Sequence, residues 1–558
     1  MIYSARRPAM ANGVVLRKSY TAVSVHNIFL DTAAGYAAHE FLHEPSGAHD
    51  RDRTGARSIT YVEARQRVAD LQQAYVTAGF GRGHRIAVAL DNRPEFFLHF
   101  LALNALGASI VPLNAAMSAA EIGYLVAHAD VAAIITHAAH AAHIRAAARA
   151  EVPVQLIAAD DGRFDIPAPF GEGRATDDEA ALLYTSGTTG KPKGCMLTNS
   201  YFREIGALYT ALGGYCTFSP GLERLITPLP VTHMNALCCS FMAMLMTGGC
   251  LVQLDRFHPS TWWQSLRAAR ATCFHYLGVM PAMLLNAPAS DADDMSAQVR
   301  FAFGAGADPR HHQPFEQRFG VPLIEAWAMT ETGAGAWITA NAEPRHVGTR
   351  CFGRAPASLD WRIVDEAQRD VARGSPGELW VRHKGSDTRR GFFAGYYKDA
   401  AATAAAWEGD WFHTGDVVRI DAAGSFYFVD RLKNVVRRSG ENIAAVEVES
   451  ALLEHAAVQA CAVAPIADDV RGEEVCALLV LKDPARASAL LANEIQQHCL
   501  NALAYYKAPG YVCFVAKLPQ TASQKLARGE IRALAASQIE TGGAIDLRAG
   551  KRRPGAAR

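Results

Sequence analysis

Neither sign of charge predominates in this chain. Its 558 residues contain 55 Lys plus Arg and 55 Asp plus Glu, which removes any global electrostatic reason to expect a nucleic acid or an anionic membrane as partner. Small-molecule substrates are favoured instead. Cysteine pairs are missing too: eleven cysteines are scattered without one C-x-x-C, and Cys238 and Cys239 are simply adjacent. That pattern suits neither a zinc site nor the disulfide framework of a small secreted domain, so a reducing cytoplasm is expected. Arg6, Arg7 and Arg17 stand near the start, but no unbroken apolar core precedes Tyr20, and a cleaved signal is not expected. The apolar stretch 96–113 is interrupted by His99, Asn104, Gly107 and Pro112. It reads as a buried helix followed by a buried strand rather than a membrane span. No internal repeat is visible.

What is present is alternation. Thr60 and Glu63 form a capping box, and Val62, Val68, Leu71, Tyr75 and Ala78 recur at helical spacing up to the turn at Gly79, Gly81 and Gly83. A strand over 85–90 follows. Asn92 and Glu95 are placed to cap a second helix that Gly107 ends, and 109–113 gives another strand. Ser118 and Glu121 repeat the device before a strand at 131–136. The β-α-β order implies an α/β fold with a parallel sheet. The Asp-, Gly- and Pro-rich stretch 158–178 reads as a surface connection. After Asp430 the pattern changes to a smaller α+β unit, with helices at 445–453 and 491–503 and strands at 458–464 and 475–481. A chain several times the usual domain size of ~100 to 200 residues is thus expected to divide into a large domain over 1–431, a small domain over 432–541 and a mobile tail over 542–558. Lys551, Arg552 and Arg553 in that tail read as a solvated end.

The most informative segment is 184–194, in which Thr185, Ser186, Gly187, Thr188, Thr189, Gly190 and Lys191 follow a buried-strand pattern at 181–184. Glycines let backbone N–H groups close on an anion, hydroxyls add donors, and Lys191 adds a mobile charge. The spacing is not that of a P-loop, because two residues rather than four separate Gly187 from Gly190 and Pro192 follows Lys191. A phosphate-bearing ligand is expected.

This loop resembles the phosphate-binding signature of the adenylate-forming superfamily, which includes acyl-CoA synthetases, luciferases and peptide-synthetase adenylation domains. Further motifs follow in the family's order. The segment 325–332 is similar to E-x-Y-G-M-T-E-T, which implies that Trp327 packs on adenine, Thr330 touches phosphate and Glu331 holds Mg²⁺. Asp416, in Thr414-Gly415-Asp416, resembles the acceptor of both ribose hydroxyls. The segment 429–433 resembles the family's hinge, with Arg431 near ribose and phosphate and Lys433 as pivot. Residues 437–442, including Arg437 and Gly440, look like the loop that lines the thiol's tunnel. The segment 518–525 is similar to P-x-T-x-x-G-K, which gives Lys525 the catalytic role; Gln524 stands where glycine is usual.

The resemblance covers about residues 25–535 and implies a two-step reaction. A carboxylic acid is joined to the α-phosphate of ATP with release of pyrophosphate, and coenzyme A then displaces AMP, the small domain swinging about Lys433 between steps. By the same resemblance the acyl pocket is walled by 230–235, 274–278, Gly304, Ala305, Gly306, Trp327 and Ala328. His233 reads equally as a packed histidine or as a gate or substrate contact in the catalytic set. No Asp occurs between Val231 and Ala236. An α-ammonium buried there would lack a partner, which disfavours amino acids as substrates. The texture of 277–285 is similar to crotonobetaine/carnitine-CoA ligases and medium-chain acyl-CoA synthetases. A carrier-protein phosphopantetheine as acceptor is the alternative, and a non-catalytic binder the third reading. Arg437, Arg438 and Arg471 are candidates to meet the 3′-phosphate of CoA. A homodimer is compatible with the resemblance.

Overall fold

The computed structural model describes residues 24–46, 55–148, 152–157, 166, 168–173, 175–176, 178–185, 192–290, 293–365, 367–431, 435–439, 441–519, 526 and 528–551. The β-α-β reading of the first third holds. Arg85–Ala89 pairs in parallel with Ser109–Pro112 and with Val131–His137. Val154–Ile157 and Glu179–Thr185 extend this parallel sheet at its two sides. Lys193–Thr198 and then Gly395–Tyr396 add antiparallel strands beyond Glu179–Thr185, for seven strands among the described residues. Both expected capping boxes form, at Thr60 with Glu63 and at Ser118 with Glu121.

One expected cap does not form. Helix Pro94–Ala105 starts from Arg93 with proline at its first turn, a position where the missing N–H costs nothing. Asn92 is buried and turned the other way: its amide donates to the carbonyls of Leu229 and Leu254, both at 3.0 Å, and accepts from Val231 N–H at 2.9 Å. It ties the first sheet to the segment that carries His233.

The second sheet has fourteen strands among the described residues. Its parallel half runs through Leu323–Trp327, Phe301–Ala305, Cys273–Leu277, Arg224–Thr227, Cys250–Gln253 and Glu40–Glu44. Its other half, from Ile338–Thr339 through Cys351–Arg354, Ser425–Arg431, Trp411–Ile420, Gly377–His383 and Leu359–Val364, is antiparallel. The sequence analysis did not anticipate that half. Aromatic rings such as Phe97 and Phe241, stacked at 4.7 Å, join the layers between the two sheets.

The small domain is α+β with its own buried core. Among the described residues six strands form its sheet, and helices Ala445–Leu453, Ala489–Ala502 and Arg528–Glu540 pack with it. The expected tail differs in its first part. Ile545–Asp546 pairs with Tyr511–Phe514, and Lys551 is buried against Glu474, so residues up to 551 are built into the small domain. Among the described residues no helix is long and apolar enough to cross a membrane.

Candidate active site

The strand Glu179–Thr185, buried from Glu179 to Leu183, ends at Thr185, where the phosphate-loop motif begins. Ser186, Gly187, Thr188, Thr189, Gly190 and Lys191 lie outside the described residues. The Thr185 side chain reaches across to the 325–332 motif, its Oγ1 lying 3.5 Å from Glu331 Oε1.

Glu331 is 7% exposed, and it is held from a direction the sequence did not signal. Tyr396 Oη donates to the same Oε1 at 2.9 Å, and Phe393 N–H donates to the Glu331 carbonyl at 3.0 Å. Both residues come from the segment that pairs as Gly395–Tyr396 with Lys193–Thr198. Tyr201 Oη donates to the Thr330 carbonyl at 2.7 Å. Two phenols thus fix the backbone and the carboxylate of adjacent motif residues. Among the described residues no cluster of three or more His, Cys, Asp or Glu is placed to hold a metal. The donor set at Glu331 is one carboxylate with hydroxyls beside it, and it fits Mg²⁺, which takes oxygen ligands and relies on substrate phosphates for the rest.

Trp327 ends the strand Leu323–Trp327, and its indole N–H donates to Asp416 Oδ2 at 2.9 Å. Asp416 is 2% exposed, on the strand Trp411–Ile420. The two residues expected at adenine and ribose are therefore in direct contact, although 89 positions separate them.

Gly304, Ala305 and Gly306 close the neighbouring strand and are shaped by Glu325. Its carboxylate accepts from Gly306 N–H at 2.9 Å, from Ala307 N–H at 3.0 Å and from Tyr276 Oη at 2.5 Å. Burial lifts the Glu325 pKa, and these donors act against that rise. Glycine is required at two positions here by close approach. A Cβ on Gly304 would stand 2.1 Å from the Tyr276 carbonyl oxygen, and one on Gly278 would stand 1.7 Å from that of Gly306.

His233 precedes a buried π-helical turn at Asn235–Ser240, a distortion often found beside functional sites. Its Nε2 is buried 3.4 Å from Glu441 Oε2 of the small domain, although 40% of the side chain is exposed. Burial opposes a charge on His233, but the Glu441 carboxylate outweighs it and the imidazole pKa is raised. Glu441 is in turn lowered despite its own burial, because His233 faces it. Deeper in, His275 bonds Tyr209 at 2.8 Å, Ser240 at 2.9 Å and Asn235 at 2.5 Å, and burial pushes its pKa down to about 3. It is a neutral, fully engaged histidine.

On the small domain, strands Val435–Arg438 and Glu441–Ala444 form a hairpin. Arg437 lies over the Phe428 ring at 5.0 Å. Arg438 does not match the expectation of a cation for CoA: it is buried, and its Nε donates to Glu474 at 2.8 Å. Arg471 pairs with Asp468 at 3.7 Å. The Arg431 backbone pairs with Asp416, whereas the Arg431 side chain, Lys433, Gly440 and Lys525 lie outside the described residues.

This geometry coincides with what comparison with known proteins finds. Residues 30–397 match the model of the AMP-binding enzyme family, and residues 447–525 match that of the AMP-binding enzyme C-terminal domain. The chain belongs to the AMP-binding enzyme family. Among the relatives of this AMP-binding enzyme is a sulfoacetate–CoA ligase of Cupriavidus necator, 32% identical, with 89% of this chain and 97% of that protein covered. A crotonobetaine/carnitine–CoA ligase of Escherichia coli O157:H7 is 28% identical over 85% of this chain and 93% of its own length. The solved structure of the amide bond synthetase McbA of Marinactinospora thermotolerans superposes with a TM-score of 0.76 at 25% identity, covering 91% of this chain and 99% of that one. The superfamily resemblance is thereby shown, and the protein is an enzyme of the AMP-forming acyl-CoA ligase type.

Proposed function

We propose that this enzyme joins a short or medium-chain, non-α-amino carboxylic acid to coenzyme A by way of an acyl-adenylate. The observations that carry this reading are three contacts between residues distant in the chain: Glu331 held by Tyr396, Trp327 bonded to Asp416, and His233 facing Glu441 of the small domain. The first two suit a nucleotide, and the third brings the hairpin expected to line the thiol tunnel against the expected acyl wall.

In the first step a carboxylate oxygen of the acid attacks the α-phosphorus of ATP, the bond to the β-phosphate oxygen breaks, and pyrophosphate leaves. Two anions must approach each other. Thr185, the loop up to Lys191, and Lys525 would offset the charge with donors fixed in advance, while Asp416 and Trp327 orient the nucleoside. Bound Mg²⁺, held by Glu331, would screen the phosphate oxygens. In the second step the CoA thiol gives up its proton to solvent, its sulfur attacks the acyl carbon, the bond to the adenylate oxygen breaks, and AMP leaves. The hairpin face of the small domain would serve this step. Glu441 does not rescue amino acids as substrates, because its carboxylate already faces His233.

A panel of acids including sulfoacetate, carnitine and aliphatic acids, assayed for CoA-dependent release of AMP, tests the reading. Pyrophosphate should appear only when an acid is present, and leucine and phenylalanine should rank below the best non-amino acid. Release of ADP, or a preference for an α-amino acid, would overturn it.

Tyr396→Phe checks the support of Glu331. A hydrogen bond to a charged group contributes about 1.5 kcal/mol or more, so the Mg²⁺ concentration giving half-maximal adenylation should rise about tenfold. The melting temperature without ligand should fall by no more than about 2–4 °C, because the ring remains and a loss of this size shifts a large domain little.

A further inference from the structure

A buried charge triad joins the two domains. Lys507 Nζ stands 2.7 Å from Glu121 Oε1 and 2.7 Å from Glu447 Oε1, and Lys507 is 5% exposed. Glu447 belongs to the small domain, on helix Ala445–Leu453. Glu121 belongs to the large domain, at the third position of helix Ala119–His128. The two oxygens of Glu121 divide their work: Oε2 accepts from Ser118 N–H and lies 2.9 Å from Ser118 Oγ in the capping box, and Oε1 meets Lys507. Ser118 Oγ also lies 2.8 Å from the carbonyl of Ala502, the last residue of helix Ala489–Ala502. Burial acts against a charge on Lys507, but two carboxylates outweigh it and the ammonium is held well above its usual range.

We propose that Lys507 is a positioning residue for the thioester-forming step, clamping the small domain through Glu121 in the pose that sets the 435–444 hairpin against His233. This rests on the two-step reading above. If the small domain turns to bring Lys525 to the phosphates, Lys507 and Glu447 travel together and Glu121 stays behind. The Lys507–Glu121 contact is therefore the member of the triad that forms and breaks with the pose. A buried ion pair contributes little net stability, yet removing one partner penalises the arrangement that buried it. The penalty falls on one pose rather than on either domain's fold.

Glu121→Gln isolates the effect, because glutamine also serves at the third position of a capping box while the charge facing Lys507 disappears. Transfer from a supplied acyl-adenylate to CoA should slow by ~10-fold, as for a charge pair cut at an interface. Acid-dependent pyrophosphate release without CoA should stay within about twofold, below the threshold of one lost contact. Lys507→Met, which also takes away the partner of Glu447 and is therefore compared at equal folded fraction, should show the same split, and the double variant should be no slower than Lys507→Met alone, since the Lys507–Glu121 contact is already absent there. Backbone amides of 116–128 and 497–508 should exchange hydrogen faster in Glu121→Gln than in the parent, at equal melting temperature. Equal loss of both half-reactions, additive losses in the double variant, or unchanged exchange would each overturn the clamp. A parent protein that forms no adenylate with any acid would instead remove the functional reading, and the exchange result would still decide the contact.

Discussion

Lys525→Ala is expected to slow adenylate formation by ~10²-fold or more, the scale of losing one preorganised charge-stabilising donor, while transfer of a supplied acyl-adenylate to CoA continues. The physical reason is that the small domain is one body with more than one functional face. The hairpin Val435–Arg438 with Glu441–Ala444 is turned to the large domain at His233, and Lys507 is seated on Glu121. On the two-step reading proposed above, Lys525 serves the α-phosphate in a different pose from this one, so each half-reaction should depend on a different set of small-domain residues. The two rates are measured separately on folded protein, as acid-dependent pyrophosphate release and as thiolysis of the synthetic adenylate. Loss of both to the same degree would mean that Lys525 supports the domain rather than the first step.

Much of this arrangement was legible in the sequence where local chemistry decides structure. The two capping boxes, the alternating buried strands and the glycine-ended helix near Gly107 all follow from side-chain donors and apolar spacing within a dozen residues, and they form as read. Asn92 was misread because a cap is only the nearest use of an asparagine amide. Here carbonyls at 229 and 254 compete for it, and nothing local reveals them. The antiparallel half of the second sheet was missed for two reasons: in Leu359–Val364 the residues Asp360, Trp361 and Arg362 are half-buried in succession, and Trp411–Ile420, which does alternate strictly, was read only for its Thr414-Gly415-Asp416 motif. The tail was misread for a related reason. Lys551 looks like a solvated end until Glu474, some eighty positions earlier, is found beneath it.

The candidate site divides the same way. Glu331, Trp327 and Asp416 were singled out because each lies in a motif that resembles the family's. Tyr396, Tyr201 and the clamp role of Glu325 were not, because each acts across pairings between segments distant in the chain. A phenol that supports a carboxylate 65 positions away has no spacing rule to betray it. His233 shows the limit from the other side: its residue type left packing open against a gate or substrate contact, and its Glu441 partner belongs to the small domain, some two hundred positions away in the chain.

Asp416→Ala is expected to raise the KM for ATP by ~10²-fold. An ionised carboxylate accepting two ribose hydroxyls makes two charge-assisted hydrogen bonds, each worth about 1.5 to 3 kcal/mol. The lower ends alone sum to about 3 kcal/mol, which corresponds to ~10²-fold in affinity. The substitution also strips Trp327 Nε1 of its 2.9 Å acceptor, so the indole loses the contact that sets its plane, which adds to the loss. Asp416→Asn should fall between, since one amide oxygen can still accept from Trp327 while the amide nitrogen cannot accept from ribose. The decisive control is 2′-deoxy-ATP. The parent enzyme should use it less well than ATP, because one of the two hydroxyls is gone, whereas Asp416→Ala should treat the two nucleotides alike. Asp416 sits inside the strand Trp411–Ile420 beside Arg431, so a merely structural role would weaken both nucleotides equally and leave their ratio as it is in the parent. A variant that keeps the parent's preference for ATP over 2′-deoxy-ATP would take the ribose away from Asp416.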